Sequence, residues 1–123
     1  MKVVTFRIKG EDSAMREFHA AFEAARYREP FAPESKVYFT SLEAARNFLT
    51  PKRLALLRII RLRKPRSIYE LAKQAQRSFS SVFKDVDLLA KHGLVRLAKD
   101  PDSTRHAVHP TVAYQAINLW ISV

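Results

Sequence analysis

The sequence predicts an α+β fold: a β-α-β unit, a run of helices interrupted by a tight turn, and a short strand at the far end. Three observations predict it. Apolar residues alternate with a period of two near both ends of the chain, as they do in half-buried strands. Between those ends the apolar spacing is helical, and hydroxyl residues, prolines and a glycine punctuate the helical stretches. With 123 residues, 47% of them hydrophobic, the chain can bury a core but has room for only one domain and a small appended unit.

Val3 to Lys9 alternate, with Val4, Phe6 and Ile8 on one side and Thr5, Arg7 and Lys9 on the other, and Gly10 ends the strand. Asp12 or Ser13 can cap a helix in which Met15, Phe18, Phe22 and Ala25 share a face. Glu11 and Asp12 at its start and Arg26 and Arg28 at its end suit the helix dipole. Pro30 and Pro33 stop it, and Val37-Tyr38-Phe39 reads as a second strand. Thr40-Ser41 opens a short helix from Leu42 to Leu49, with Leu42, Ala45 and Leu49 on one side. Thr50-Pro51 starts the next helix with a capping hydroxyl and a proline at the first helical position. That helix runs to Arg63, and its Leu54, Leu56, Leu57, Ile59, Ile60 and Leu62 span too wide an arc for one buried face. We expect it to lie between two neighbours, with its Arg and Lys heads reaching outward.

Lys64-Pro65-Arg66 breaks that helix, and Ser67 caps a short one from Ile68 to Ala75, with Ile68, Leu71, Ala72 and Ala75 in a stripe. Gln76-Arg77 is a tight connection. Ser78 then caps a longer helix, 79–92, which Gly93 closes where a left-handed residue is wanted. Leu94 to Leu97 reads as a strand, Lys99-Asp100-Pro101-Asp102-Ser103 as a turn, and Arg105 to His109 as the antiparallel return. Near the end Ile117, Leu119, Ile121 and Val123 alternate with Asn118, Trp120 and Ser122, a strand able to pair with the first and close a small sheet. Residues 1–40 together with 112–123 are then one unit, a candidate dimer or partner surface, and 41–111 the other. Helix, short helix, tight turn, long helix, strand, tip, strand is the order of a winged helix-turn-helix.

Charge is concentrated in that second unit. Of a net +10, +8 falls within residues 51–77, where nine basic side chains face one acid, Glu70. A focused basic field attracts polyanions, and release of condensed counterions makes nucleic acid the commonest such partner. The same stretch holds no Trp or Phe to anchor it in a lipid surface, so no membrane partner is expected. No apolar run approaches the ~20 residues that span a bilayer, and Met1-Lys2-Val3-Val4 leads into no secretory leader. A basic, cytoplasmic protein is the expectation.

Residues 67–95, SIYELAKQAQRSFSSVFKDVDLLAKHGLV, closely resemble the helix-turn-helix core of MarR-like winged-helix regulators. Leu71-Ala72 on the second helix, Val82, Val86 and Leu89 on the third, and Gly93-Leu94-Val95 before the wing carry the resemblance. The first strand and helix, the Leu49-Thr50-Pro51 entry and the closing strand are similar to a prokaryotic family of small helix-turn-helix regulators often assigned to toxin–antitoxin operons. The resemblance implies a transcriptional regulator that binds double-stranded DNA through the 79–92 helix, acting as a repressor. A homodimer is expected because winged helices usually gain affinity by presenting two recognition helices. The alternative is an antitoxin that autoregulates its operon and holds a small protein toxin; an RNA-binding or protein-binding winged helix is a third reading.

The residues support a DNA role independently. Placing Val82 at the centre of a buried face groups Phe79, Val86, Leu89 and Ala90 with it and turns Ser80, Ser81, Lys84, Asp87, Leu88 and Lys91 outward. Small hydroxyls near the amino end of a helix can approach base edges in the major groove, so Ser80, Ser81 and Lys84 are candidate base contacts. Ser67 and Ser78 open helices whose free N–H groups can hold phosphates, flanked by Arg66, Lys73 and Arg77. Lys99 and Arg105 on the wing can reach a phosphate, whereas Asp100 and Asp102 argue against a strong minor-groove probe at its tip. Asp87 would repel the DNA backbone unless it accepts from a cytosine amino group. Leu88 is expected beneath a neighbour, and Phe83 in the core.

Enzyme chemistry finds little purchase. The chain has no cysteine and two glycines, which excludes disulfides, thiolate zinc sites and glycine-rich phosphate loops. His106-x-x-His109 on a strand would point its rings to opposite faces. Asp85 and Asp87 on a helix do not face each other, and Ser80-Ser81 lacks the glycines of a nucleophile elbow. We expect no catalytic residues, no cofactor and no metal.

Overall fold

Val4, Phe6 and Ile8 are buried along β1 (Val3–Ile8) and the residues between them are half-buried, so the period-two pattern becomes a strand as expected. The computed structural model describes residues 2–8, 35–99 and 108–123. In it β1 is the middle of a three-stranded sheet ordered β2-β1-β5, with β2 at Ser35–Phe39 and β5 at Ala116–Ile121. Both neighbours run parallel to β1: Phe6 lies beside Val37 and Leu119, and Ile8 beside Phe39 and Ile121. The helix predicted between the first two strands lies outside the described residues, as do the wing tip, Arg105 and His106.

A short helix, α1 (Leu42–Phe48), packs on this sheet through an aromatic cluster. Ring centroids of Phe6, Phe39 and Phe48 are 5.2 to 6.0 Å apart, in tilted contacts. The sequence pattern sets Leu42, Ala45 and Leu49 inward. The structure instead buries Ala45 and Phe48 and leaves Leu42 exposed, because Phe48 turns its side of the helix to Phe6 and Phe39. The chain accordingly divides into two units, Met1–Phe48 with Ala116–Val123, and Leu49–Gln115. The helix expected to open the second unit belongs to the sheet. β5 pairs with β1 as expected and is an edge strand among the described residues; its Leu119, Trp120 and Ile121 are exposed.

The Leu49–Gln115 unit is built on three helices, α2 (Pro51–Arg63), α3 (Ile68–Ala75) and α4 (Phe79–Lys91), followed by an antiparallel pair, β3 (Arg96–Lys99) and β4 (Val108–Thr111). This is a winged helix-turn-helix. Its core joins Leu56, Leu57 and Ile60 of α2, Ile68, Leu71 and Ala72 of α3, and Val82, Val86 and Leu89 of α4 to Leu94, Val95 and Tyr114. Each helix opens on the predicted cap. Thr50 Oγ1 accepts from the Arg53 N–H at 3.2 Å, Ser67 Oγ from Glu70 at 3.0 Å and Ser78 Oγ from Ser81 at 3.2 Å.

Helix α2 departs from expectation. Leu54 and Ile59 are half-buried and Leu62 is 70% exposed, so within its own unit only one side of the wide apolar arc is covered. The wing strand also starts later than predicted, at Arg96 rather than Leu94. Gly93 takes a φ of 78°, and the N–H of Leu94 donates to Leu89 O at 2.9 Å, closing a Schellman motif. Leu94 is thus still occupied in ending α4 and cannot begin a ladder.

Candidate nucleic-acid interface

Helices α3 and α4 are joined through Gln76 and Arg77, and the geometry of that turn sets how α4 is displayed. Gln76 adopts the left-handed conformation at φ 55°, while Arg77 N–H donates to Ala72 O and Gln76 N–H to Lys73 O, both at 3.1 Å. This is the same helix-ending device as at Gly93, here built on a residue with a Cβ. Beyond the turn, Ser78 caps α4, and Val82, Val86 and Leu89 face the core with no exposed surface. The opposite side is therefore fixed.

That opposite side carries Ser80, Ser81 and Lys84, all exposed, as the periodicity predicts. The N–H groups of Phe79 and Ser80 lie in the first turn, where a helix has no acceptors of its own to offer. Asp87, the one carboxylate among the predicted outward positions, accepts from Lys91 Nζ at 3.1 Å one turn later, so its charge is partly compensated. Arg66 and Lys73 are exposed; the Lys73 ammonium lies 4.9 Å from the Tyr69 ring centroid. Lys99 is exposed at the end of β3. Ser67 is half-buried and Ser78 exposed, and both hydroxyls are engaged as caps.

Arg77 stands apart from this exposed set. Its guanidinium donates to Asp85 Oδ2 at 2.8 Å, while Arg53 Nε from α2 donates to Asp85 Oδ1 at 3.2 Å. Side-chain exposure is 14% for Asp85 and 21% for each arginine. One carboxylate on α4 thereby ties α2 and the α3–α4 turn to the same face. Sequence reasoning passed over this clamp, because its members are 8 and 32 positions apart and no local periodicity connects them.

Phe79 and Phe83 also depart from the sequence pattern. Both are expected to pack inward, but they are 49% and 47% exposed, with their rings stacked at 5.9 Å and 25°. The buried stripe of α4 is narrow, centred on Val82, Val86 and Leu89, and the two rings project from its flank. Leu88, expected to turn outward beneath a neighbour, is half-buried. Tyr114 escaped notice in the sequence. It follows β4 in the chain and is buried, and its hydroxyl donates to Leu94 O at 2.9 Å, with burial raising its pKa well above that of an ordinary phenol.

Among the described residues no group of His, Cys, Asp and Glu could hold a metal ion. No described helix is long and apolar enough to cross a membrane.

The arrangement defines a winged helix-turn-helix presenting a polar, cationic helix face. By its sequence the chain belongs to the HVO_A0114 family, whose match extends over residues 48–119 and so takes in the whole helical unit. Six chains of solved structures are similar to it. One is a MarR-like transcriptional regulator from Thermotoga maritima, with 22% identity and a TM-score of 0.48. That match covers 81% of this chain and spans 64% of the length of the Thermotoga chain. No curated protein matches.

Proposed function

We propose that this protein is a sequence-specific, double-stranded-DNA-binding transcriptional regulator that works as a repressor and a homodimer in the cytoplasm, with α4 as its recognition helix. The observation that carries the reading is the exposed Ser80–Ser81–Lys84 face, held opposite fully buried Val82, Val86 and Leu89 on the second helix of the turn. Short hydroxyl side chains let the helix backbone approach base edges, and the lysine offers a donor to guanine. Arg66, Lys73 and Lys99 supply phosphate contacts at the rim. Two copies would place their recognition helices about one DNA turn, roughly 34 Å, apart on a near-palindromic site.

The test is selection of bound duplexes from a randomised library, followed by binding of the selected site by Ser81→Ala plus Lys84→Ala. A selected consensus, lost by the variant while nonspecific binding persists, is the expected result. Equal affinity for all duplexes, unchanged in the variant, overturns base readout. The antitoxin reading draws on one observation, the uncharged edge strand β5 with Leu119, Trp120 and Ile121 exposed. A strand edge that no described strand pairs can accept a further strand from a partner. That reading predicts a stable complex with a small protein encoded beside it.

A further inference from the structure

We propose that the stacked Phe79–Phe83 pair reads thymine methyl groups in the major groove, so that apolar contact sets part of the sequence preference. The inference rests on α4 being the helix that enters DNA. Side chains on a helix lean toward its amino end, so the Phe83 ring lies over the turn that carries Phe79 and Ser80. The stack of the two rings at 5.9 Å is the result. On the helical wheel Phe83 is about 60° from Ser80, which makes the ring pair the immediate flank of the candidate base-reading face.

Two half-exposed phenylalanines on one turn form a small apolar patch in the same helix as the exposed Ser80 and Lys84. The major groove displays hydrogen-bonding base edges and a single apolar group, the C5-methyl of thymine. A phenyl ring set against adenine, guanine or cytosine edges would strip water from donors and acceptors and return no hydrogen bond. Against a methyl it buries carbon on carbon. Charge selects the same partner: Lys84 lies one residue beyond Phe83, and the stretch 51–77 carries nine cations against one acid. A polyanion with methyl groups in a helix-wide groove satisfies both features. The rings are already stacked on each other, so little side-chain freedom is lost on contact.

The experiment replaces thymines in the selected site one at a time with deoxyuridine, which removes the methyl and nothing else. Binding by the full chain is expected to weaken roughly fourfold at one or two positions, the equivalent of about 0.8 kcal/mol for one buried carbon. Phe83→Ala should already bind the thymine site that much more weakly and be indifferent to deoxyuridine; Phe79→Ala repeats the test on the neighbouring ring. Lys84→Ala should weaken binding yet keep the methyl sensitivity. Thermal midpoints of the variants exclude misfolding, and the deoxyuridine series on the unmodified protein requires no variant. Absence of methyl sensitivity, or equal sensitivity with and without the Phe83 ring, overturns this proposal and leaves the DNA reading standing. If no duplex is bound, both fall.

Discussion

Tyr114 and Asp85 are the two side chains on which the helical unit turns, and each acts by satisfying a polar group away from water. Asp85 gives each of its oxygens to a different arginine, so the negative charge of a carboxylate that is 14% exposed is met at both oxygens. Tyr114 donates to the carbonyl of Leu94, the residue that links the end of α4 to the wing. Burial disfavours the phenolate and raises the folded-state pKa, while in the unfolded chain the phenol titrates near its ordinary value of about 10. Below that pH both states keep the proton and the contribution is intact. Above it the unfolded chain releases its proton first, so stability falls as pH rises. Tyr114→Phe is expected to lower stability by about 1 kcal/mol at neutral pH, the worth of a typical buried hydrogen bond. It should also flatten the decline above about pH 10, so that the two curves converge. Urea midpoints across that range check it; parallel curves would show that the hydroxyl does not control the alkaline limb.

At the scale of elements, the ends of α3 and α4 solve one problem with different residues. Each closes with an N–H reaching back five positions to a carbonyl, which requires a left-handed residue between. At α4 that residue is Gly93, and a Cβ built there would meet nothing within 4 Å, so the backbone conformation alone demands glycine. At α3 it is Gln76, for which the same conformation costs about 1 kcal/mol. Gln76→Gly is therefore expected to stabilise the protein by roughly 0.5 kcal/mol once the added freedom of the unfolded chain is subtracted. Gly93→Ala should destabilise it by about 1 kcal/mol. Opposite shifts in thermal midpoint are the readout, and shifts of one sign would contradict the shared geometry. The contrast also explains what the sequence discloses. Caps, breaks and the glycine end are local rules, so Thr50, Ser67, Ser78 and Gly93 could be placed in advance. Gln76 could be placed in a tight connection but not in its conformation. The exposure of Phe79, Phe83 and Leu62 depends on how far neighbouring helices extend, and periodicity within one helix carries no record of that.

Over the whole molecule, charge separates by unit. Residues 49–115 hold 14 basic and 5 acidic side chains, a net of +9, whereas the remainder carries 8 and 7. Of those five acids, Asp85 lies between two arginines, a cluster that keeps one net positive charge, and Asp87 is paired with Lys91. Sequence treats Lys73 and Arg77 alike, as cations flanking the turn. The fold gives them different surroundings: Lys73 is exposed, and Arg77 is held by Asp85 at 2.8 Å. Neutralising each therefore separates phosphate contact from architecture. Binding to DNA should weaken linearly in log affinity against log salt, with about 0.9 in the slope for each phosphate neutralised. Lys73→Gln is expected to reduce that slope by about 1, to weaken specific and nonspecific duplexes equally and to leave stability unchanged. Arg77→Gln should leave the slope nearly untouched and lower stability by about 1–3 kcal/mol, because Asp85 loses its shorter charge-assisted bond. Anisotropy titrations over a salt series, paired with urea midpoints, distinguish the two. A slope change for Arg77→Gln equal to that for Lys73→Gln would mean the arginine leaves its carboxylate on the DNA, and the clamp on α4 would then be a feature of the free protein alone.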